Sequence, residues 1–116
     1  MLFVCYPGCS TCRKAKDWLT GQGAAFEVRD IKTQNPTAEE LREWREKSGL
    51  PLKKFFNTSG LLYKSMELKN KLPSMTEEEQ YALLATDGML VKRPILVTED
   101  RVLVGFKESE WSSVIK

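Results

Sequence analysis

The sequence has 116 residues, of which 41% are hydrophobic and 29% are charged, and its formal net charge is +2. This length and composition predict one domain, residues 1–116, with one hydrophobic core, and the small charge excess gives no support for direct binding to nucleic acid or to an anionic membrane surface. Because the sequence contains no histidine, Ser-His and Cys-His dyads and histidine-ligated metals are excluded, and we expect no metal site.

The apolar segment Leu2–Tyr6 predicts a central strand that ends at Pro7-Gly8. No basic segment precedes it and no small-x-small cleavage site follows it, so we interpret it as a buried strand rather than a signal peptide. No apolar run in the sequence approaches the ~20 residues that span a bilayer. We therefore expect a cytoplasmic protein without a membrane partner, in a reducing compartment where disulfides are transient rather than structural.

A helix is predicted over Ser10–Thr20, ended by two glycines, and a second strand over Ala25–Arg29. A right-handed crossover would make the two strands parallel. The capping-box sequences Thr37-x-x-Glu40 and Thr76-x-x-Glu79 each predict the start of a further helix. Short helices are expected between them, over residues 51–75.

Two β-branched runs, Ile95–Thr98 and Val102–Val104, predict a hairpin, and Glu108–Ile115 predicts a final short helix. The order of elements is therefore strand, helix, strand, several helices, hairpin and helix. A β-α-β start with a β-β-α end is typical of the α/β thioredoxin-like fold. The helical middle, residues 37–87, is then an insert between the two halves.

Cys9-Ser10-Thr11-Cys12 lies at the predicted junction between the first strand and the first helix. A helix start favours an anion through its unpaired N–H groups and the positive end of its dipole, which lowers the pKa of a thiol there. Cys12 lies about one turn further on the same side. The spacing predicts a Cys9 thiolate that attacks an oxidised substrate, with Cys12 resolving through a Cys9–Cys12 disulfide. The alternative is a pair of small buried residues, since free cysteine is often simply buried.

Cys5-x-x-x-Cys9-x-x-Cys12 also has the spacing of the iron–sulfur motif of radical S-adenosylmethionine enzymes. That motif needs a flexible loop to wrap a cluster, whereas Cys5 lies in a predicted strand and Cys12 in a predicted helix. The chain is also too short for the partial barrel of those enzymes. We therefore interpret Cys5 as a core strand residue.

Arg93-Pro94 precedes the predicted strand that begins at Ile95, a position at which proline is tolerated. Arg93 is a permanent cation that can pair with a thiolate or an oxyanion. The spacing alone describes equally well a solvent-exposed loop arginine beside Lys92. A cis bond before Pro94 is compatible with this position, but most X-Pro bonds are trans, so the sequence leaves both alternatives open.

The sequence resembles the arsenate reductase (ArsC) and Spx family over nearly the whole chain, as a glutaredoxin-like member with a Cys-x-x-Cys motif. The segments that carry the resemblance are Cys9-Ser-Thr-Cys12-Arg13-Lys14-Ala15, Leu52–Gly60, Leu84–Ile95 and Val104-Gly105-Phe106. The resemblance implies a thioredoxin-like fold, a reactive Cys9, an arginine at position 93 close to it and a cis-proline at position 94. It also matches Cys12 to the second cysteine of the Spx-type redox switch.

These arguments give two groups of candidate site residues. The catalytic candidates are Cys9, Cys12 and Arg93, and the candidates for substrate binding or thiolate stabilisation are Ser10, Thr11, Arg13, Pro94 and Lys107. By the resemblance, family arsenate reductases use further arginines, whose positions fall here near Ser59 and near Lys107. Each lost charge-assisted bond removes about 1.5–3 kcal/mol, so weaker arsenate binding is predicted, with Lys107 compensating in part as a point charge.

Two functions are compatible with these residues. The first is a thiol-based oxidoreductase, an arsenate reductase or glutaredoxin-like protein with no bound cofactor, reduced by external glutathione, thioredoxin or glutaredoxin. The alternative is an Spx-like redox-sensing transcriptional regulator that binds the C-terminal domain of the RNA polymerase alpha subunit. The sequence has no counterpart of the basic tail of Spx regulators, so it does not support the transcriptional role. A redox-inert family member is a third possibility, and we expect a monomer in every case.

Overall fold

The computed structural model describes residues 1–115, which form a four-stranded mixed sheet and six α-helices. The strands are β1 (Leu2–Cys5), β2 (Glu27–Asp30), β3 (Ile95–Val97) and β4 (Val102–Val104). The α-helices are α1 (Ser10–Gly21), α2 (Ala38–Ser48), α3 (Leu61–Ser65), α4 (Leu68–Lys71), α5 (Glu77–Leu84) and α6 (Glu108–Ile115). Short 3₁₀ helices occupy Leu52–Phe55, Leu72–Ser74 and Gly88–Leu90.

The sheet has the strand order β2-β1-β3-β4. β1 pairs in parallel with β2, with Leu2 opposite Glu27, and antiparallel with β3, with Phe3 opposite Leu96. β3 and β4 form an antiparallel hairpin in which Ile95 faces Val104. The predicted central first strand, the parallel first pair and the hairpin are therefore confirmed, and with them the β-α-β and β-β-α halves.

The second strand begins two residues later than predicted. The N–H of Ala24 closes the end of α1 by donating to the carbonyl of Leu19 at 3.2 Å, so pairing with β1 starts only at Glu27, whose N–H donates to the carbonyl of Met1 at 2.9 Å. β2 is an edge strand, and Val28 on it is 50% exposed. The alternation of apolar residues thus located the strand but not its bounds.

Both predicted capping boxes are present. The hydroxyl of Thr37 accepts the N–H of Glu40 at 3.1 Å, and the carboxylate of Glu40 accepts the N–H of Thr37 at 3.0 Å. Thr76 and Glu79 form the same reciprocal pair at the start of α5. Each box satisfies two N–H groups that have no partner within the helix, so these starts are fixed by local sequence.

The sheet separates two groups of buried apolar side chains. Phe3 and Leu96 lie on one face, in a group that includes residues of α1 and Trp111 of α6. Val4 and Ile95 point to the other face, where the helices between β2 and β3 cover them. This alternation follows from the period of two in a strand and gives three layers, with the start of α1 and the residues before β3 at one end of the sheet. Among the helices of residues 1–115, none has the length and apolar character to cross a membrane.

Candidate active site

Cys9 lies at the N-terminus of α1. It occupies the N-cap position, with φ −89° and ψ 121°, and is half-buried. Its carbonyl accepts the N–H of Arg13 at 3.1 Å, the first hydrogen bond of the helix. Its own N–H donates to the carbonyl of Tyr6 at 3.0 Å, which fixes the turn between β1 and α1. The structure therefore places Cys9 at the predicted helix start.

The surroundings of Cys9 lower the pKa of its thiol. Partial burial is the largest single influence and opposes ionisation. The pKa is lowered first by the backbone N–H and the thiol of Cys12, which favour the anionic sulfur, and then by the guanidinium of Arg93 with its positive charge. Together these contributions outweigh burial, so the anionic form is favoured at a lower pH than in an ordinary cysteine.

Cys12 has the opposite character, although it lies only one turn further along α1. It is 2% exposed, and burial together with the neighbouring Cys9 and Cys5 raises the pKa of its thiol to about 12. The backbone N–H of Tyr6 donates to its sulfur at 3.5 Å and partly opposes this rise. One thiol of the pair is therefore poised to ionise, and the other is held neutral.

Cys5, on β1, is buried in the group that packs against α1, as predicted for a core strand residue. Burial is the main cause of the raised pKa of its thiol. Within residues 1–115, no group of three side chains of histidine, cysteine, aspartate or glutamate is arranged to hold a metal ion. The three thiols lie in a strand, at a helix start and within a helix, and the one at the helix start is the one whose pKa is lowered.

Arg93 extends from the segment before β3 to the start of α1, although it is far from Cys9 in sequence. The bond between Arg93 and Pro94 is cis. The guanidinium carbon lies 5.3 Å from the centroid of the Tyr6 ring, in cation–π geometry. Its Nε and Nη1 groups are buried and have no hydrogen-bond partner among residues 1–115. A half-buried arginine whose Nε and Nη1 groups are buried and unpaired beside a cysteine is equipped to hold an anion.

Of the remaining predicted site residues, some line the cleft beside Arg93 and others lie outside it. Thr11 and Lys107 line a cleft of about 460 Å³ that begins at Arg93 and extends toward β4. Ser10 and Arg13 are exposed on the first turn of α1, and within residues 1–115 their side chains form no hydrogen bond or ion pair with the other candidates. Ser59 is exposed and is absent from the cleft lining that residues 1–115 form.

Sequence reasoning missed the contribution of Tyr6, which it assigned only to the first strand. The guanidinium of Arg93 lies over its ring, and its backbone N–H donates to the sulfur of Cys12. The sequence feature that could have indicated this contribution is the position of Tyr6 immediately before Pro7-Gly8, at the turn that leads to Cys9. The cations Lys54 and Arg101 on the cleft wall were also missed, because they come from separate elements that meet only in the folded chain.

Comparison with protein families and curated proteins agrees with this architecture. The model of the ArsC family matches residues 5–114. The chain is 52% identical to the uncharacterized protein YusI of Bacillus subtilis (strain 168), over 96% of this chain and 94% of that protein. It is 30% identical to the regulatory protein MgsR of the same organism, over 100% of this chain and 90% of that protein.

Solved structures give the same result. The crystal structure of an ArsC-family-related protein from Bacteroides fragilis is 60% identical and superposes with a TM-score of 0.95, covering 97% of this chain and 95% of that one. The crystal structure of a possible arsenate reductase from Streptococcus mutans UA159 is 45% identical, with a TM-score of 0.87 and 96% coverage of both chains. The predicted thioredoxin-like fold with a helical insert is confirmed.

Proposed function

Since the chain belongs to the ArsC family, we propose that it is a thiol–disulfide oxidoreductase in which Cys9 is the nucleophile and Cys12 the resolving cysteine. The observation that carries this proposal is the contrast between two thiols one helical turn apart. The pKa of Cys9 is lowered at a helix start beside Arg93, whereas the pKa of the buried Cys12 is raised to about 12. Such a pair supplies a nucleophile and a protected second thiol in a fixed order.

In the first step the Cys9 thiolate attacks one sulfur of a substrate disulfide. A bond forms between the Cys9 sulfur and that sulfur, the substrate S–S bond breaks, and the second substrate sulfur leaves as a thiolate. Before this step the N–H groups of α1 and the guanidinium of Arg93 stabilise the negative charge on Cys9. A tyrosine face beneath the guanidinium keeps it at that position.

In the second step Cys12 loses its proton to the departing sulfur or to water and attacks the Cys9 sulfur, releasing the reduced substrate. The two thiols of Cys9 and Cys12 have then lost two electrons to the substrate and form a disulfide. Burial is the main reason for the high pKa of Cys12, but the anionic Cys9 contributes. Once Cys9 is bonded to substrate this contribution is gone, so the pKa of Cys12 falls at the stage when its thiolate is needed.

The cycle closes when an external dithiol or glutathione reduces the Cys9–Cys12 disulfide, and no bound cofactor is required. We place this cycle in a reducing cytoplasm and assign it to the monomer. Arsenate is a second candidate substrate, because the two unpartnered N–H groups of Arg93 suit an oxyanion. With one arginine at the site, we expect arsenate to be the poorer substrate.

The test follows the sulfur chemistry by intact-protein mass spectrometry after addition of bis(2-hydroxyethyl) disulfide. Wild-type protein should lose two hydrogens and form the internal disulfide, whereas Cys12→Ser should accumulate the mixed disulfide on Cys9. Cys5→Ser is the matched control and should behave as wild type. An unmodified Cys9 in all variants would exclude the proposal. A parallel series measures arsenate reduction, first with glutathione and then with thioredoxin as the reductant.

The similarity to the regulatory protein MgsR favours one further candidate function, that of a regulator. We propose that in this case the Cys9–Cys12 disulfide controls binding to the RNA polymerase alpha subunit. The two functions share the same sulfur chemistry and differ in the partner. A pull-down with the C-terminal domain of the alpha subunit, with this protein reduced and then oxidised, separates them. Binding in one redox state alone supports the regulator, and binding in neither removes it.

A further inference from the structure

The cleft that begins at Arg93 is strongly cationic beyond the site itself. Four basic side chains line it besides Arg93: Lys54, Lys92, Arg101 and Lys107. Among residues 1–115 none of these four takes part in an ion pair. The one carboxylate in the lining formed by these residues is Glu110. A whole-chain net charge of only +2 makes this concentration a local feature, and it favours a ligand with several negative charges.

The cations are spread along the cleft and do not converge on one point. Arg101 immediately precedes β4, whereas Lys92 lies at its other end, with its Cε 3.6 Å from the position of a Cβ on Gly105. Lys54 belongs to a different element, the 3₁₀ helix of the insert. A strand rises about 3.4 Å per residue, so the four steps from Arg101 to Gly105 span roughly 14 Å. A cleft of about 460 Å³ with charges at both ends suits an elongated anion rather than a single oxyanion.

One wall of the cleft is the outer edge of the sheet. β4 is the last strand, and the N–H of Gly105 donates to the carbonyl of Pro94 at 2.8 Å. Because inward and outward backbone groups alternate along an antiparallel strand, the N–H and C=O of Val104 face away from β3. They form no hydrogen bond with another residue among 1–115, and Val104 is half-buried on the cleft wall. An unpaired strand edge is a template for an extended peptide.

We propose that this cleft binds an extended acidic segment of a protein substrate, which pairs with the backbone of Val104 and places its oxidised cysteine beside Cys9. This inference rests on the proposed function, because it names the kind of molecule that Cys9 attacks. The cations at the two ends of β4 neutralise the acidic side chains, and the strand edge fixes the direction of the chain. Arg93 and Thr11, where the cleft meets α1, bring the bound segment to the reactive sulfur.

The test measures binding without sulfur chemistry, on the Cys9→Ser protein. The probe is a fluorescein-labelled decapeptide of alternating glutamate and threonine, followed by anisotropy at low ionic strength, with its glutamine counterpart as the uncharged control. The acidic peptide should bind and the glutamine peptide should not. The double variant Lys54→Glu, Arg101→Glu should weaken binding roughly tenfold or more. Lys71→Glu, an exposed reversal on α4, should leave it unchanged.

Hydrogen exchange distinguishes strand addition from diffuse attraction. The amide of Val104 should exchange several-fold more slowly with the acidic peptide bound. Equal binding of both peptides, no effect of the double reversal, or an unprotected Val104 amide would each overturn the proposal. So would tight binding of glutathione or of a short oligonucleotide in place of the peptide. Thiol exchange without peptide binding refutes the docking site alone, whereas peptide binding with an inert Cys9 refutes the proposed chemistry alone.

Discussion

The guanidinium of Arg93 rests on the ring of Tyr6, with 5.3 Å between the guanidinium carbon and the ring centroid. The backbone N–H of Tyr6 donates to the sulfur of Cys12, 3.5 Å away. One residue in the connection from β1 to α1 thus contacts both the cation that stabilises Cys9 and the thiol that follows it. Tyr6 acts as a positioning residue, since its contribution to Cys9 passes through Arg93.

Removal of the cation should raise the pKa of Cys9. We expect Arg93→Gln to shift the pH dependence of alkylation by iodoacetamide to higher pH, because the guanidinium that opposes the effect of burial on the pKa of Cys9 is lost. The rate at Cys9 is followed by peptide mass spectrometry between pH 5 and 10. Arg42→Gln, which removes a half-buried arginine of α2 that pairs with Glu78, is the matched control and should leave the profile unchanged. Identical profiles for wild type and Arg93→Gln would contradict the assignment.

The pKa of Cys9 should depend on the aromatic ring of Tyr6 and not on its hydroxyl group. Tyr6→Leu removes the aromatic face beneath Arg93, so the guanidinium loses its support and the pKa of Cys9 rises, by less than in Arg93→Gln. Tyr6→Phe keeps the face and the backbone N–H, and should reproduce the wild-type alkylation profile. If Tyr6→Phe and Tyr6→Leu shift the profile equally, the ring is not what positions Arg93.

The raised pKa of Cys12 predicts a loss of stability at alkaline pH. Burial is its main cause, and the folded thiol titrates only around its raised pKa of about 12. An unfolded thiol ionises near pH ~8.5. A group with a raised folded pKa contributes its full stability below the unfolded value, and that contribution falls as the pH rises toward 12. The free energy of unfolding in urea should therefore decline between pH 8.5 and 11, and decline less in Cys12→Ala.

Cys9→Ala serves as the control variant for the pH dependence of the free energy of unfolding. The folded pKa of Cys9 is lowered, so its ionisation adds stability as the pH rises, which is the opposite sign. Its removal should leave most of the alkaline decline in place, because burial rather than Cys9 is the main cause of the raised pKa of Cys12. The same slope in wild type and Cys12→Ala would show that Cys12 is not the titrating group.

Gly88 should tolerate no side chain. It is buried at the start of the 3₁₀ helix Gly88–Leu90, and a Cβ there would overlap the backbone carbonyl of Ile31, which follows β2. Because backbone cannot move aside as a flexible side chain can, Gly88→Ala should destabilise the protein by about 1–3 kcal/mol or more. Chemical denaturation measures the change.

Gly21, at the end of α1, gives the matched substitution. A Cβ there has open space around it, so Gly21→Ala should keep or raise stability by up to about 1 kcal/mol through helix propensity. An equal effect of the two substitutions would mean that the close approach of Gly88 to Ile31 is not what limits this position.

The features predictable from the sequence are those set by neighbours along the chain. The capping boxes at Thr37 and Thr76 and the helix start at Cys9 depend on residues within one turn, and local chemistry identified them. The central place of β1 followed from its continuous apolar character, because a strand buried on both faces has no polar side to alternate with. The hairpin followed from two β-branched runs separated by a polar turn.

What the sequence left open depends on elements distant in the chain. Spacing described Arg93 equally well as a solvent-exposed loop residue, and only the family resemblance brought it to Cys9. The start of β2 was misplaced because the register is set by pairing with β1, which the apolar alternation around Val28 does not specify. The lysines and arginine of the cleft come from the insert and from both ends of the hairpin, so no local pattern unites them.

The sulfur at position 9 owes part of its acidity to a guanidinium that the chain supplies only near its other end. During synthesis Cys9 is made early, while Arg93 arrives with the last quarter of the sequence and reaches it only after β3 pairs with β1. A nascent or unfolded chain therefore carries three cysteines of ordinary reactivity. The difference in acidity that sets Cys9 apart from the other two thiols is therefore a property that the chain gains only on folding.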